Sequence, residues 1–573
     1  IYTDVSEALQ KEDFENVTYV LSGKPVLDSS LRTEMQSNMQ IMIALALVVM
    51  FIILLAVFHV RWRVLSLGVI FVSVIATLGF MGIMSVPMTM VSMAVFPILI
   101  GLGIDYSIQL QNRYEEEKSV SITLSQIGKS LFIAVLATVL GFISLYASPV
   151  PMIKDFGKML TIGVVISFIG SIFLLMPILR IRDTTGEKIR EHKDMEEKET
   201  RLDRALQGST RFVLKYSAVL VIFAIALAGF GFSIDNKIAV ETDIETFMPQ
   251  DMEALQDIHK VRDVVGSTNQ MAIYMEGENL LTEENVEWMD QTTAEISKTF
   301  ENKVVDVKSI STLVTMMSEG ELEFNQYVDV VGDIPAEQKK MFLNEDNTKS
   351  VILLNVAHMS TDELQQFVTD LDIMVNDAPM DVVVTGKSVL DVEMVKGLTE
   401  GRVTMTIIGL GLVFGALLVL YRNIVKAFIP IFPIILIIGM SAGIMYLLGI
   451  SYTPITATLG ALVLGMGTEM TIMLLERYIE ERALGKDKME AILKTVTKIG
   501  KATLASGLTT IGGFSVLMAS QFEILKDFGL MTVINISLAL ISTFIILPII
   551  IVALDRFIVK EKKVEELKEQ YVN

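Results

Sequence analysis

The feature that most constrains the fold of this 573-residue chain is a series of long apolar runs. Most of these runs approach or exceed about 18 residues, the length that an α-helix needs to cross about 30 Å of hydrocarbon. With 52% hydrophobic residues, the chain is too apolar for an ordinary soluble enzyme. Hydropathy predicts eleven spans, near residues 40–58, 64–84, 90–110, 131–146, 159–179, 218–232, 403–420, 428–448, 453–475, 503–519 and 528–553. The sequence therefore predicts a polytopic α-helical membrane protein.

Charge predicts the orientation of these spans. Outside residues 234–400, Lys and Arg concentrate in alternate loops and in the tail after Arg556, whereas the turns at 85–89 and 449–452 carry no charge. Because basic loops mark the cytoplasmic side, we expect the C-terminus inside and residues 234–400 outside. That segment holds about 34 acidic against about 11 basic residues, which accounts for the net charge of −20. An acidic, well-solvated external surface argues against nucleic acid as a partner.

The chain lacks the residues that several classes of chemistry require. The chain has no cysteine, so disulfides and thiolate metal sites are excluded. Its four histidines show no metal-ligand spacing, and neither HExxH nor a Walker-type phosphate loop occurs. We therefore predict no metal site, no cofactor and no catalytic residues, and we do not expect an enzyme.

The membrane part is duplicated. Residues 101–107, Gly-Leu-Gly-Ile-Asp-Tyr-Ser, return about 364 positions later at 465–471 as Gly-Met-Gly-Thr-Glu-Met-Thr, and an Arg-Tyr pair follows each copy. Other matches in the same order are Gly79 with Gly443, Thr89 with Thr453, Leu136 with Leu508, Thr138 with Thr510, Gly141 with Gly513, Phe142 with Phe514 and Lys154 with Lys526. Both copies have the same orientation, which predicts parallel repeats related by an axis along the membrane normal.

The repeat also predicts the domain plan. Ile1 aligns with about residue 364 of the second copy, so we expect about 150 residues before it and twelve spans in the complete protein. The expected segments are the end of a first external α/β domain at 1–36, the first membrane repeat at 37–182, a cytoplasmic linker at 183–211, the first span of the second repeat at 212–233, a second external, porter-like α/β domain at 234–400, the rest of the second membrane repeat at 401–555 and a cytoplasmic tail at 556–573.

The external domain shows alternating strand and helix patterns. Strands are predicted at 270–276, 304–309, 350–356 and 380–385, and helices at 282–299 and 361–376. Each helix begins with Thr, Thr282 or Thr361, in the N-cap position. The order is that of a split βαβ, ferredoxin-like fold. Residues 5–21 resemble the last helix and strand of the first copy's domain.

Each repeat carries one carboxylate inside an apolar run, Asp105 in the first and Glu469 in the second. A charge near the bilayer centre costs roughly 2.5–3.5 kcal/mol, and acids at such positions usually have a function. We therefore predict a proton relay, with Gln109 one turn beyond Asp105 on the same face. Glycines precede each acid by four residues (Gly101 and Gly465) and by two residues (Gly103 and Gly467). Small residues at these positions predict close helix packing. The alternative is that each acid merely joins helices.

Hydroxyl groups near the acids are candidates for relay support. They are Tyr106, Ser107, Thr138, Thr471 and Thr510. The alternative for each is a hydrogen bond back to its own helix. Arg113 and Arg477 lie at predicted cytoplasmic helix ends, where the helix dipole alone explains a positive charge.

The Gly-x-Gly-x-Asp-Tyr signature at 101–106, its counterpart at 465–470, the duplication and the split α/β domains together resemble the RND superfamily. The closest branch is that of the MmpL-type hydrophobe/amphiphile exporters, which are related to the sterol-sensing-domain proteins. The resemblance implies an exporter of lipids or other hydrophobic molecules, driven by the proton-motive force, in the plasma (inner) membrane of a prokaryote. It implies coupling through Asp105 and Tyr106, with Glu469 in place of the second, commonly Asp, carboxylate. Met470 departs from the family pattern, which often has Tyr there.

Two other functions remain open at this point. One is a non-transporting sterol- or lipid-sensing module; the other is a SecDF-like accessory of protein translocation. The long α/β domains favour export, with a lipid-like substrate and membrane lipids as partners, while monomer, dimer and trimer all stay open. Because Asp105 has Tyr106 and Gln109 beside it and Glu469 has Met470 and Met473, we predict Asp105 as the main proton carrier.

Overall fold

The computed structural model describes residues 5, 7–9, 21–57, 62–185, 201–265, 269–318 and 322–558. Within these ranges, eleven helices are long and apolar enough to cross a membrane, the number predicted. The chain folds into two compact units. We call residues 241–396 with 1–33 the sheet domain, and residues 34–240 with 397–573 the membrane unit.

The helices are continuous and mostly longer than their apolar runs. Up to the sheet domain they are α1 (Lys24–Val57), α2 (Leu65–Ile83), α3 (Met90–Met93), α4 (Val95–Glu117), α5 (Val120–Ile143), α6 (Pro151–Gly170), α7 (Met176–Thr185), α8 (Arg201–Lys215) and α9 (Ser217–Ile234). The sheet domain has α10 (Ile244–Phe247), α11 (Glu253–Val265), α12 (Glu283–Thr299), α13 (Ile310–Met317), α14 (Phe324–Asp333), α15 (Ala336–Lys339) and α16 (Thr361–Val375). The last helices are α17 (Lys387–Tyr421), α18 (Ile424–Leu448), α19 (Leu459–Ala483), α20 (Lys488–Ser515) and α21 (Glu523–Ile558).

Four predicted spans begin well inside longer helices. The runs at 40–58, 131–146, 403–420 and 503–519 lie in the later parts of α1, α5, α17 and α20. Hydropathy detects the apolar part alone, whereas the helix continues into polar residues because each added turn still satisfies its own backbone hydrogen bonds. A five-residue π-helical segment, Ser171–Leu175, joins α6 to α7.

The sheet domain has the predicted topology. Its strands are β1 (Asn269–Glu276), β2 (Val304–Lys308), β3 (Lys349–Val356) and β4 (Asp381–Gly386). They form one antiparallel sheet in the order β2-β3-β1-β4. Helix α12 connects β1 to β2 and α16 connects β3 to β4, which is the split βαβ arrangement.

The core of the sheet domain lies between the sheet and its helices. Strand β3 buries every second residue, as a half-buried strand does. Phe300, after α12, meets Phe367 of α16 edge to face with ring centroids 5.0 Å apart. This contact joins the two crossover helices.

Three details of this domain differ from the predictions. Helices α13 to α15 between β2 and β3 were not predicted. The N-cap of α16 is Ser360, whose hydroxyl accepts from the Glu363 amide, so the assignment to Thr361 was wrong by one residue; Thr282 caps α12 as predicted. Of residues 5–21, only 5, 7–9 and 21 belong to the described ranges; residues 5 and 7–9 are helical, and the predicted strand lies mostly outside them.

Candidate functional site

The two acid-bearing helices, α4 and α19, are the most enclosed helices of the membrane unit. In the most apolar stretch of their spans 100% and 94% of the residues are buried, against at most 61% in the other nine. Asp105 is 4% exposed and Glu469 2% exposed. The acids therefore lie at the centre of the membrane unit, away from lipid.

The structure brings the two acids together. The Gln109 side-chain amide donates to both of them, with Nε2 3.0 Å from Asp105 Oδ1 and 3.4 Å from Glu469 Oε1. The two carboxyl groups also lie near enough to interact with each other electrostatically. Asp105, Gln109 and Glu469 thus form one cluster across the two repeats, and we call it the acid cluster.

Exchanged helix packing holds the acid cluster in place. Helix α4 of the first repeat packs on α20 of the second: a Cβ at Gly513 would lie 2.8 Å from Gly101 Cα. Helix α19 packs on α5 in the same way, since a Cβ at Gly141 would lie 3.1 Å from Gly465 Cα. Only glycine allows backbones to come this close, so the predicted packing role of Gly101 and Gly465 has a geometric basis.

Two threonines fasten the same contacts. Thr510 Oγ1 donates to the Gly101 carbonyl at 3.3 Å, and Thr138 Oγ1 donates to the Gly465 carbonyl at 2.9 Å. Both hydroxyls also bond to their own helices, through Ser506 O and Ala134 O respectively. They therefore link the repeats at the turn just above each acid.

The second pair of glycines faces the span that precedes the acid helix in each repeat. A Cβ at Gly103 would lie 2.3 Å from Ile70 Cδ1, and one at Gly467 would lie 2.5 Å from Ile434 Cδ1. These contacts press α4 against α2 and α19 against α18. Both repeats thus use the same close packing around the acid helices.

The other predicted relay residues lie at different distances from the acids. Tyr106 is fully buried, packs edge-on against Phe168 at 6.0 Å, and lies near enough to interact electrostatically with both carboxyl groups. Ser107 Oγ instead meets Ser171 Oγ at 2.8 Å, and Thr471 donates to the Pro430 carbonyl at 3.1 Å. These two hydroxyls join the acid helices to neighbouring spans.

One residue near the acids was missed by the sequence reasoning. Ser506 on α20 lies near Asp105, and its buried hydroxyl makes no hydrogen bond with the described residues. It lies one turn before Thr510 on the same face of the helix. The spacing of four residues from Thr510, which was predicted, could therefore have identified Ser506.

A cavity leads from Gln109 of the acid cluster to one end of the membrane unit. Gln109 and Ser506 line its inner part, and Arg113, Arg477 and Lys498 line its outer part. We call this end the basic end. The cavity thus reaches the acid cluster at Gln109 from that side.

The two arginines at the basic end are linked through one carboxylate. Arg477 Nη1 lies 2.9 Å from Glu480 Oε2, and Arg113 Nη2 lies 3.9 Å from Glu480 Oε1. Arg477 also binds the fully buried Glu481 at 2.7 Å. Arg113 further bonds Gln126 on α5, with Nε 2.8 Å from Oε1. A charged network therefore connects the repeats at the mouth of the cavity.

The opposite end of the second repeat has a polar cluster that the sequence reasoning did not identify. Arg402 Nη1 lies 2.6 Å from Asp235 Oδ2, the Tyr452 hydroxyl donates to Asp235 Oδ1 at 2.7 Å, and the Arg402 guanidinium stacks 4.1 Å from the Tyr452 ring centroid. Burial and the Asp235 charge raise the pKa of Tyr452 above its ordinary value, while Arg402 opposes this. The sequence signal that could have identified this cluster is Arg402, a charged residue at the start of an apolar run.

Metal binding has no support in the described ranges, where no three His, Cys, Asp or Glu side chains are placed to hold an ion.

Comparison with known proteins places these features in a family. The model of the MMPL family matches residues 2–199 and 246–570, which is most of the chain. The chain is 24% identical to the putative membrane protein MJ1562 of Methanocaldococcus jannaschii over 354 residues, covering 59% of this chain and 91% of that protein. It is 26% identical over 144 residues to the sulfolipid-1 exporter MmpL8 of Mycobacterium tuberculosis, covering 24% of this chain and 13% of the exporter.

Two solved structures share the fold. The hedgehog release protein Disp from the water bear Hypsibius dujardini has a TM-score of 0.68 at 12% identity, covering 90% of this chain and 70% of that one. SecDF of Thermus thermophilus, a translocon-associated membrane protein, has a TM-score of 0.58 at 17% identity, covering 90% and 62%. At such identities the likeness shows the RND-like fold alone. The chain spans only part of MmpL8 and of SecDF.

Proposed function

This chain belongs to the MMPL family, and from that premise we propose that it is a secondary active exporter driven by the proton-motive force. Its cargo would be lipids or other hydrophobic, amphiphilic molecules, and its place the plasma membrane of a prokaryote. The observation that carries the proposal is the acid cluster, in which Gln109 joins Asp105 to Glu469 across the two repeats.

The acid cluster can couple protonation to helix position. Two neighbouring carboxylates in a medium of low dielectric cannot both stay charged. We therefore expect Asp105 and Glu469 together to hold at least one proton. Losing that proton places two like charges in contact and favours separation of α4 and α19. Because the acids belong to different repeats, proton binding and release would move the repeats relative to each other.

The membrane potential supplies energy on the required scale. One proton crossing the membrane releases about 2.3 kcal/mol per 100 mV. The cavity at the basic end would connect the acid cluster with the cytoplasm, if the basic loops lie inside as predicted. In this conformation, protons would thus exchange on the cytoplasmic side.

Individual residues would have distinct roles. Asp105 would be the main proton carrier, with Glu469 as its partner and Tyr106 beside both. Gln109 would orient the two carboxyl groups. Thr138 and Thr510 would hold the helices together at the exchanged contacts rather than carry protons, because each already donates to a backbone carbonyl of the other repeat.

The cargo class is supported by the family and by one relative's name. MmpL8 is a sulfolipid-1 exporter, and the short match to it supports an amphiphilic lipid as cargo here, without specifying which. The sheet domain would receive the cargo outside the membrane.

The test begins with mass spectrometry of the lipids that remain bound to the purified protein. The lipid found in greatest excess over the bulk membrane is then reconstituted with the protein in vesicles carrying an imposed pH gradient. We expect gradient-dependent movement of this lipid that a protonophore abolishes. The Asp105→Asn, Glu469→Gln double variant should fold and yet lose this movement; full activity of this variant would refute the proposal.

A matched control uses another pair of repeat-related acids. Asp155 and Asp527 follow Lys in the repeated Lys-Asp-Phe-Gly segments, and both lie away from the acid cluster. The Asp155→Asn, Asp527→Asn variant should transport at the unsubstituted rate.

A further inference from the structure

Helix α8 (Arg201–Lys215), directly before span α9, has three distinct faces. The buried face contains Asp203, Leu206, Thr210 and Val213. A second, exposed face is mainly apolar and includes Leu202, Ala205, Phe212 and, just past the helix, Tyr216. A third face carries the basic residues Arg204, Arg211 and Lys215, all exposed. With 3.6 residues per turn, these stripes run side by side along the helix.

The buried face fixes α8 against the membrane unit. Asp203 binds Lys501 of α20 at 2.8 Å, and Leu206 packs on Gly500, where an added Cβ would lie 2.9 Å from its Cδ1. The two outer faces are therefore presented in a defined orientation rather than by a free segment.

The apolar face is continuous with the surface of the following span. Phe212 and Tyr216 have ring centroids 4.8 Å apart. Val219 and Phe223 of α9, 66% and 61% exposed, continue the line at spacings of three and four residues. A span surface of this kind is covered by acyl chains, so the apolar face of α8 reaches the same lipid layer at its headgroup boundary.

Within the described ranges, the basic face has no acidic partner. Among the residues that the structure describes, no carboxylate pairs with Arg204, Arg211 or Lys215, although Lys215 Nζ lies 5.5 Å from the Tyr216 ring centroid. Three unpaired cations beside an apolar face at the membrane boundary match the phosphate of an anionic lipid.

We propose that α8 is an interfacial helix that binds anionic phospholipid headgroups in the leaflet next to the basic end of the spans. Phe212 and Tyr216 enter the acyl boundary, and Arg204, Arg211 and Lys215 hold the phosphates. The Asp203–Lys501 ion pair joins α8 to α20, so the lipid-binding helix is fixed to a helix that packs beside the acid cluster. The proposal does not depend on the transported cargo.

The test uses Phe212→Trp as a reporter, in full-length protein whose two natural tryptophans, Trp62 and Trp288, are replaced by Phe. The protein is reconstituted in a roughly four-to-one mixture of phosphatidylcholine and phosphatidylglycerol. The headgroup composition is the same in every sample. Either phosphatidylglycerol or phosphatidylcholine carries bromine on its acyl chain, and the mole fraction of brominated lipid is kept equal. We expect brominated phosphatidylglycerol to quench the reporter roughly twofold more than brominated phosphatidylcholine.

The preference should vanish when Arg204, Arg211 and Lys215 are all changed to Gln. It should persist in a control that neutralises three exposed lysines elsewhere, Lys237, Lys298 and Lys396. In protein with all three cations of α8 intact, salt at about 1 M should also remove it, because charges then interact over only about 3 Å. Because the salt experiment uses protein with all three cations intact, it tests the proposal even if the triple variant does not fold.

Four outcomes would overturn the proposal: no quenching by either lipid, equal quenching by both, a preference that survives neutralisation and salt, or a preference lost equally in the control. Leu202→Trp, at the other end of the apolar face, provides a second reporter if Phe212→Trp disturbs the fold. An acidic protein segment as the true partner of the cations would appear as equal quenching by both lipids.

Discussion

Gln109 of the first repeat donates a hydrogen bond to Glu469 of the second, with Nε2 3.4 Å from Oε1. The same amide reaches Asp105 at 3.0 Å, so a single side chain contacts both buried acids. The repeat-equivalent position, Met473, cannot donate. The link between the acids is therefore one-sided, and the two repeats differ chemically at their centre.

Replacing Gln109 by Met should impair proton-driven transport while the protein stays folded. A hydrogen bond to a charged group contributes about 1.5–3 kcal/mol, so we expect a loss of about tenfold or more in transport rate. Vesicle transport under an imposed pH gradient measures it. Met473→Gln adds an amide at the equivalent position and should leave the rate within about twofold; equal losses in both variants would show that the bridge has no special role.

Gly513→Ala should destabilise the membrane unit, because the new Cβ would lie 2.8 Å from Gly101 Cα and two backbones would have to separate. Overpacking of this kind costs about 1–3 kcal/mol. Thermal unfolding in detergent should show a melting temperature lower by a few degrees. Gly411→Ala and Gly415→Ala meet no atom within 4 Å and should be neutral or slightly stabilising, since Ala favours helix. A Gly513→Ala protein as stable as these controls would contradict the exchanged packing.

The sheet domain should lose stability in acid through Glu245. Burial alone would raise the pKa of Glu245, but the hydrogen bond and charge of Arg262, 2.7 Å away, hold it below its ordinary value. A carboxylate with a lowered pKa stabilises the folded state above its unfolded pKa of about 4.3, and this contribution disappears as the pH falls through the folded pKa. Glu245→Gln should therefore cost up to about 1 kcal/mol at neutral pH and nothing in strong acid.

Fluorescence of Trp288, in a protein carrying Trp62→Phe, can follow this unfolding between neutral pH and about pH 3. Glu253→Gln, on the exposed side of α11, is the control and should match the unsubstituted protein at every pH. A difference between Glu245→Gln and the unsubstituted protein that stays constant with pH would exclude the ion pair as its cause.

Tyr452→Phe should destabilise the protein by about 1.5–3 kcal/mol, because Asp235 loses the hydroxyl that donates to it at 2.7 Å. Arg402→Gln should cost more, about 3 kcal/mol or above, since it leaves the half-enclosed Asp235 without its cation. Thermal unfolding compares both with Tyr446→Phe, which changes an exposed tyrosine of α18. The order Arg402→Gln, Tyr452→Phe, Tyr446→Phe in decreasing effect is the expected result.

The spans and the split βαβ sheet can be predicted from the sequence because their signals are local. A hydropathy window finds an apolar span, and alternation finds a half-buried strand such as β3. Short helices escape this reasoning: α13 is eight residues long, although Ser309 and Thr312 form a capping box that marks its start.

The acid cluster can be predicted only in part. Duplication of the signature identifies Asp105 and Glu469 as exceptional, since two charges in equivalent apolar runs are improbable by chance. It does not reveal that one amide joins them, because Gln109 and Glu469 are 360 positions apart. Helices α4 and α19 are also buried on all sides, so periodicity does not show which neighbour each face meets. Periodicity likewise does not show that Ser506 lies near Asp105.

The exchanged glycine contacts have a consequence for the origin of the chain. Gly101 meets Gly513 and Gly465 meets Gly141, so one contact is made twice with the copies exchanged. Two identical chains related by a two-fold axis make contacts in this way. A half-length ancestor could thus have built the same centre as a homodimer, where one codon would encode both acids. In a fused chain the two codons can diverge, and an amide bridge built from one side only is a property that a homodimer cannot acquire.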